Sequence, residues 1–129
     1  MGEIQSFEDL EVWKRSSRLA VDVCVALSSS SDYAIRNQME RSALSIPSNI
    51  AEGSERDSTA DFTRFLRIAK GSCAELRTQL YILQATLKEL DRAPLAKGDQ
   101  MITETKELAA MLQSLINKLE SNPKTRKKY

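Results

Sequence analysis

Eight basic side chains pose the first chemical question. Arg64, Arg67, Lys70 and Arg77 recur at helical spacing, and no acid lies between residues 62 and 74. The last six residues, KTRKKY, add Lys124, Arg126, Lys127 and Lys128 with no acid among them. Cations placed in this way meet the phosphates of RNA or DNA without reading sequence. Tyr129 offers a single ring for base stacking. A solvated helix face and a solubilising terminus need the same residues, so the pattern by itself does not decide. A second constellation is Arg41, Glu52, Arg56 and Glu75. It reads either as a polar site for a ligand or nucleic acid, or as ion pairs that tie helices or subunits together. Two guanidinium forks balanced by two carboxylates favour the ion pairs.

The composition removes most other chemistry. The chain has no histidine, so histidine-dependent triads, dyads and metal motifs are excluded. Its two cysteines are too few for an all-cysteine zinc site or a disulfide framework. Cys24 and Cys73 fall on apolar seams and read as small buried hydrophobes. The four glycines, Gly2, Gly53, Gly71 and Gly98, form no phosphate loop. No catalytic, metal or cofactor site is expected, and an enzyme is the least supported class. No apolar run approaches the roughly 20 residues of a membrane span, and the opening MGEIQSFEDLEVW lacks the pattern of a signal peptide. The expected location is the reducing cytoplasm. Net charge is +1, but residues 1–123 carry 15 basic and 18 acidic groups. Any nucleic-acid contact must therefore come from local patches.

Four helices must position these residues. Phe62, Leu66, Ala69, Cys73, Leu76, Leu80, Leu83, Leu87 and Leu90 alternate steps of four and three. That period marks a long helix over 58–91 with a left-handed bundle seam, started by Ser58 and Asp61 and closed by Pro94. Met101, Thr105, Leu108, Leu112, Leu115 and Leu119 repeat the pattern between Asp99 as N-cap and Asn122-Pro123 as stop. The first helix carries Leu10, Trp13, Ser17, Ala20, Cys24 and Leu27 behind a Ser6-x-x-Asp9 start. The second is capped by Asp32, carries Ile35, Met39, Ser42, Ile46 and Ile50, and stops at Gly53. An all-α, up-down-up-down four-helix bundle over 1–123 follows, with a basic tail over 124–129 expected to be disordered. The long third helix must overhang its partners or break. Its flank bears a second seam, Phe65, Ile68, Ser72, Glu75, Gln79 and Ile82, beside the small residues Gly71, Ala74, Thr78 and Ala85. This flank reads either as a half-wet surface or as a subunit interface.

Pro47 interrupts the second helix, where it removes an amide and clashes one turn back. Ser45, Ser48 and Asn49 stand ready to satisfy the freed backbone. The segment Ser45-Ile46-Pro47-Ser48-Asn49-Ile50-Ala51-Glu52-Gly53 resembles the signature of the bacterial four-helix-bundle family named after the protein encoded in 23S ribosomal RNA intervening sequences. Phe7-x-x-Leu10-x-Val12-Trp13, the run Gln38 to Ala43, Arg56, Phe62, Phe65-Leu66, Ile68-Ala69, Gly71-Ser72 and Glu75-Leu76 extend the resemblance over roughly residues 7–90. It implies a non-enzymatic bundle that assembles into a ring, typically a homopentamer. A related branch, the accessory proteins of diversity-generating retroelements, partners a reverse transcriptase and binds nucleic acid. Two functions are therefore expected: an oligomer binding RNA or DNA, as accessory to a nucleic-acid enzyme, or a protein-interaction scaffold with no nucleic-acid role.

Overall fold

A computed structural model of the chain describes residues 6–30 and 32–121. A 3-10 turn, Phe7–Asp9, precedes four helices: α1 (Glu11–Ala26), α2 (Tyr33–Ser54), α3 (Thr59–Glu89) and α4 (Gly98–Ser121). No strand occurs among the described residues. The cross-helix contacts run antiparallel throughout: Arg15 to Glu104 and Asp22 to Lys97 join α1 and α4, while Ser45 to Ser72 joins α2 and α3. This is the expected up-down four-helix bundle.

One shared core fills the space between the helices. Val23, Ile46, Ile50, Phe62, Leu66, Cys73, Leu76, Leu80, Leu108, Leu112 and Ile116 are fully buried. Along α3 the seam holds from Phe62 to Leu80. Leu83 and Leu87 are then half-buried and Leu90 is exposed, because α3 outruns its partners. At about 1.5 Å per residue, its 31 residues give one unbroken rod of ~46 Å. On α1 the buried face is Val12, Ser16, Leu19, Ala20 and Val23. The expected seam through Trp13, Ser17 and Cys24 is instead a half-buried flank, with Trp13 set edge-on against Phe7 at 5.2 Å. The wider valine and leucine stripe wins the core, because it buries more apolar area. Ile35, placed on the α2 seam by the periodicity, is 37% exposed.

The helix ends combine expected and unexpected chemistry. Asp32 accepts from the Ile35 amide at 3.2 Å, and Ser58 accepts from the Asp61 amide at 3.1 Å. These caps satisfy otherwise orphaned donors. Ser6 instead opens the 3-10 turn, its hydroxyl bonded to the Glu8 carboxylate, and α1 begins only after extended Leu10. Asp99 lies inside the first turn of α4, where a carboxylate also suits the helix dipole. α3 ends before Pro94 is reached: Asp91 adopts φ 55°, its amide donates to Lys88 and the Arg92 amide donates to Leu87. This is a Schellman closure with aspartate in the left-handed position usually held by glycine.

Gly53 is not a helix stop. α2 continues to Ser54, and no described glycine has positive φ. Its role is proximity, because a Cβ placed there would lie 2.6 Å from Phe65 Cβ and 3.0 Å from the Phe62 ring. The two helices touch backbone to side chain at this level. Gly71 is the opposite case, with nothing within 4 Å of an added Cβ.

Five of the six buried hydroxyls among the described residues are satisfied within their own helices. Ser16, Ser42, Ser54, Thr63 and Thr105 each donate to a carbonyl of their own helix. Burial pushes the Cys73 thiol up to about 12, only partly offset by the nearby Arg77 charge. The native state thus holds a proton that the unfolded chain releases near pH 9.

Two outcomes follow from this packing. Gly53→Ala gains about 1 kcal/mol of helix propensity but forces α2 and α3 apart, an overpacking cost of ~1–3 kcal/mol. A lower urea midpoint is expected for Gly53→Ala, and none for Gly71→Ala. For the thiol, stability is complete below about pH 9 and declines as pH rises toward 12, by up to ~1.4 kcal/mol per pH unit. Urea denaturation from pH 8 to 11 should show this extra slope in the wild type and its loss in Cys73→Ala.

Candidate interaction surface

The residues around Pro47 build a polar crossing between α2 and α3. Proline withholds the amide that Ala43 would otherwise meet, yet α2 runs through it with Pro47 buried. The Asn49 side-chain amide donates to the Ser45 carbonyl at 2.8 Å and to Ser45 Oγ at 2.9 Å. Ser45 Oγ in turn meets Ser72 Oγ of α3 at 2.8 Å. The chain Asn49–Ser45–Ser72 thus braces the helix near its weakest turn and fixes its register against α3. Ser48 points outward and is exposed.

One antiparallel step away lies Phe65, 7% exposed and packed against Gly53. Two guanidinium groups cover its ring, Arg56 at 4.8 Å and Arg64 at 4.5 Å from the centroid. Arg56 also holds Glu52 at 3.0 Å, and Arg64 holds Asp61 at 3.3 Å. Both pairs are surface ion pairs of small individual worth, but the stacked ring orients both arginines. Of the four expected network members, only Glu52 and Arg56 are joined. Arg41 and Glu75 are exposed, and neither makes an ion pair among the described residues.

The four α3 cations do not form one stripe. Arg64 leans to the α2 side over Phe65. Arg67 crosses to α4 and pairs with Glu120 at 2.7 Å. Lys70 donates to Gln113 of α4 at 2.7 Å, and Arg77 is half-buried. The acid-free interval in the sequence is filled by acids from elsewhere: Asp61 just upstream and Glu120 some fifty residues on. Lys124, Arg126, Lys127 and Lys128 lie outside the described residues.

The outer α2–α3 face exposes apolar side chains among its polar ones. Leu44 is 50%, Ile68 42% and Ile82 59% exposed. Ile35 and Ile82 line a groove of about 340 Å³ with Gln38, Met39 and Gln79, and Gln79 Oε1 is buried there without a hydrogen-bond partner. Gly71 adds an open, side-chain-free position on the same face. The second seam read from the sequence is therefore half core and half surface: Phe65 and Ser72 are buried, while Ile68, Glu75 and Ile82 are exposed. The groove itself was not read from the sequence. Its traces were Gln79 and Ile82 of that second seam and Ile35, an apolar residue that the core does not take.

The opposite α1–α4 edge is closed by charge. Arg15 donates to Glu104 at 2.9 Å and also binds Glu107. These two acceptors hold its guanidinium well above its ordinary value. Among the described residues, no three histidine, cysteine or acidic side chains gather as metal ligands, and no helix is long and apolar enough to cross a membrane.

Comparison with known proteins agrees with this architecture. No curated protein matches the chain. A crystal structure from Bacteroides thetaiotaomicron, of a protein with unknown function from the S23 ribosomal protein family, superposes with a TM-score of 0.72 at 25% identity. The match covers 81% of this chain and 97% of that one. The family model of the 23S rRNA-intervening sequence protein matches residues 8–114, from the first turn into the last third of α4. The signature around Pro47, the four-helix architecture and this match together establish that the chain belongs to the 23S rRNA-intervening sequence protein family.

Proposed function

We propose that the protein acts by association rather than catalysis: a non-enzymatic cytoplasmic scaffold whose α2–α3 face docks on further copies of itself. The observation that carries this reading is the exposure of Leu44, Ile68 and Ile82 on one face, beside the open Gly71 position. Exposed apolar side chains gathered on one face are a mark of association sites. An exposed mid-helix glycine costs about 1 kcal/mol against alanine, and nothing packed on it among the described residues accounts for that cost. A ring, typically of five subunits, is the assembly that the family resemblance leads us to favour. The buried free thiol of Cys73 suits a reducing compartment.

A second reading has its own support. The KTRKKY tail carries four cations against the acidic balance of residues 1–123. Assembly gathers several such tails, and multiplied weak phosphate contacts give useful affinity for RNA or DNA. On this reading the assembled protein serves as accessory to a nucleic-acid enzyme. Arg64, Arg67 and Lys70 contribute little to it, since each is already held within the chain.

Light scattering after gel filtration tests the first reading. The wild type is expected as an oligomer, and Ile68→Asp or Ile82→Asp should lower the mass toward one chain while leaving helix content and thermal melting nearly unchanged. A wild type that stays monomeric rejects the association. Fluorescence anisotropy with labelled single-stranded RNA and duplex DNA tests the second. Binding at low salt that weakens steeply with added salt and vanishes when residues 124–129 are removed supports tail contacts. Arg64→Ala and Arg67→Ala should then change affinity by less than about threefold, well below the salt effect. No binding at low salt by assembled protein removes the nucleic-acid reading.

A further inference from the structure

We infer that the outer α3–α4 face is a binding site for single-stranded nucleic acid: Arg77 of α3 and Lys106 of α4 hold phosphate, and Tyr81 stacks on a base. This site goes beyond the tail contacts proposed above and stands without them. Two contacts fix the register of the helices. Arg67 meets Glu120, and Lys70 meets Gln113. Arg77 follows Lys70 by seven residues on α3, and Lys106 precedes Gln113 by seven on α4. Seven residues are close to two turns, so each pair keeps one side of its helix. The helices are antiparallel, which brings Arg77 and Lys106 to the same level across the boundary. Tyr81 lies one turn beyond Arg77 on that side of α3.

The partners change from rung to rung along this boundary. Arg67 has an acid opposite and Lys70 a neutral amide. Arg77 has a second cation. Neither Arg77 nor Lys106 makes a side-chain hydrogen bond or an ion pair among the described residues. Arg77 is half-buried and close enough for its charge to act on the Cys73 thiol, so its guanidinium is held near the boundary. Two cations held at one level repel, and an anion seated between them relieves that repulsion. The acids of α4 do not fill this place. Glu104 and Glu107 turn to Arg15 of α1. Asp99 lies about two turns from Lys106, toward Lys88 at the end of α3. The ring beside the cations is also open. Of the two described tyrosines, Tyr33 is covered by Arg36. Tyr81 is 49% exposed and makes no hydrogen bond or ring contact among the described residues. Charge and an open ring together match what a single strand offers, phosphates and unpaired base faces. A duplex keeps its base faces stacked, and an acidic protein surface has no use for the ring.

Fluorescence anisotropy of a labelled oligouridylate with the full chain tests the site, with duplex DNA and polyglutamate as comparisons. Arg77→Gln and Lys106→Gln should each weaken oligouridylate binding at low salt by about threefold or more, and each should lower the slope of log affinity against log salt by about 0.7. Tyr81→Ala should weaken it by about fivefold or more and leave duplex DNA unchanged, while Tyr81→Phe binds like the wild type. Helix content should be the same in every variant. If both charge variants bind oligouridylate like the wild type, the site is overturned, and the tail reading still stands where removal of residues 124–129 abolishes binding. If Tyr81→Ala binds like the wild type, or polyglutamate binds as tightly as oligouridylate, the single-strand assignment is overturned. A wild type that binds no oligouridylate at low salt overturns both this site and the tail contacts.

Discussion

The close approach of α2 and α3 is the constraint on which the rest of the molecule depends. Two helices reach this spacing only where one gives up its side chain, and Gly53 does so opposite Phe65. Once Phe65 is seated there, its ring becomes the platform for Arg56 and Arg64, and those two carry Glu52 and Asp61 into surface pairs. Two turns along, the same register brings Ser45 against Ser72. A shift of either helix would break the hydroxyl contact and drive Phe65 into a backbone. The interface is thus specified by shape at one end and by directional hydrogen bonds in the middle, which is stronger specification than apolar packing alone provides.

Pro47 fits into this arrangement without ending its helix. A proline inside a helix leaves a carbonyl unmatched and crowds the preceding turn. Here burial holds the ring in place, and Asn49 ties the adjacent turn to Ser45. The same serine reaches α3, so local reinforcement and interhelical registration share one hydroxyl. The signature segment can be understood as a solution to a packing problem, not as a set of reacting groups. Its outward members, Ser48 and Glu52, lie beside the apolar shoulder formed by Leu44 and Ile68.

Charge on this surface is distributed by tertiary structure. Arg15 on α1 is held by two α4 carboxylates, and Arg67 on α3 by a third. These pairs span the helix boundaries and use up cations that appear free along the chain. The α2–α3 face differs, because there the ions pair within single helices or not at all. That contrast separates a closed edge of the bundle from an open one, and it directs attention to the open face as the place where this protein meets others.

Much of the fold was legible in the sequence because it is periodic. A 3.5-residue apolar repeat commits a segment to a bundle helix whatever its neighbours do, so the four helices, the long third helix, the caps at Asp32 and Ser58, and the core from Phe62 to Leu80 followed from spacing alone. Boundaries set by geometry between elements did not follow. Asp91 ends α3 through a left-handed residue that aspartate tolerates, a choice invisible in its letter. Gly53 resembled a stop signal and proved to be a contact surface, because a glycine's meaning depends on what lies opposite its missing Cβ. The α1 seam was displaced to Val12, Leu19 and Val23 for a similar reason: two stripes on one helix compete for one core, and only the assembled bundle decides. The basic run on α3 shows the same dependence on packing. Spacing in the sequence showed no acid near Arg67, but antiparallel packing delivered Glu120 to it. Sequence fixes which residues each helix turns to the same side. Tertiary structure alone sets which residues face one another across the helices, because that depends on rigid-body register, and register rests here on Gly53, Phe65, Ser45 and Ser72.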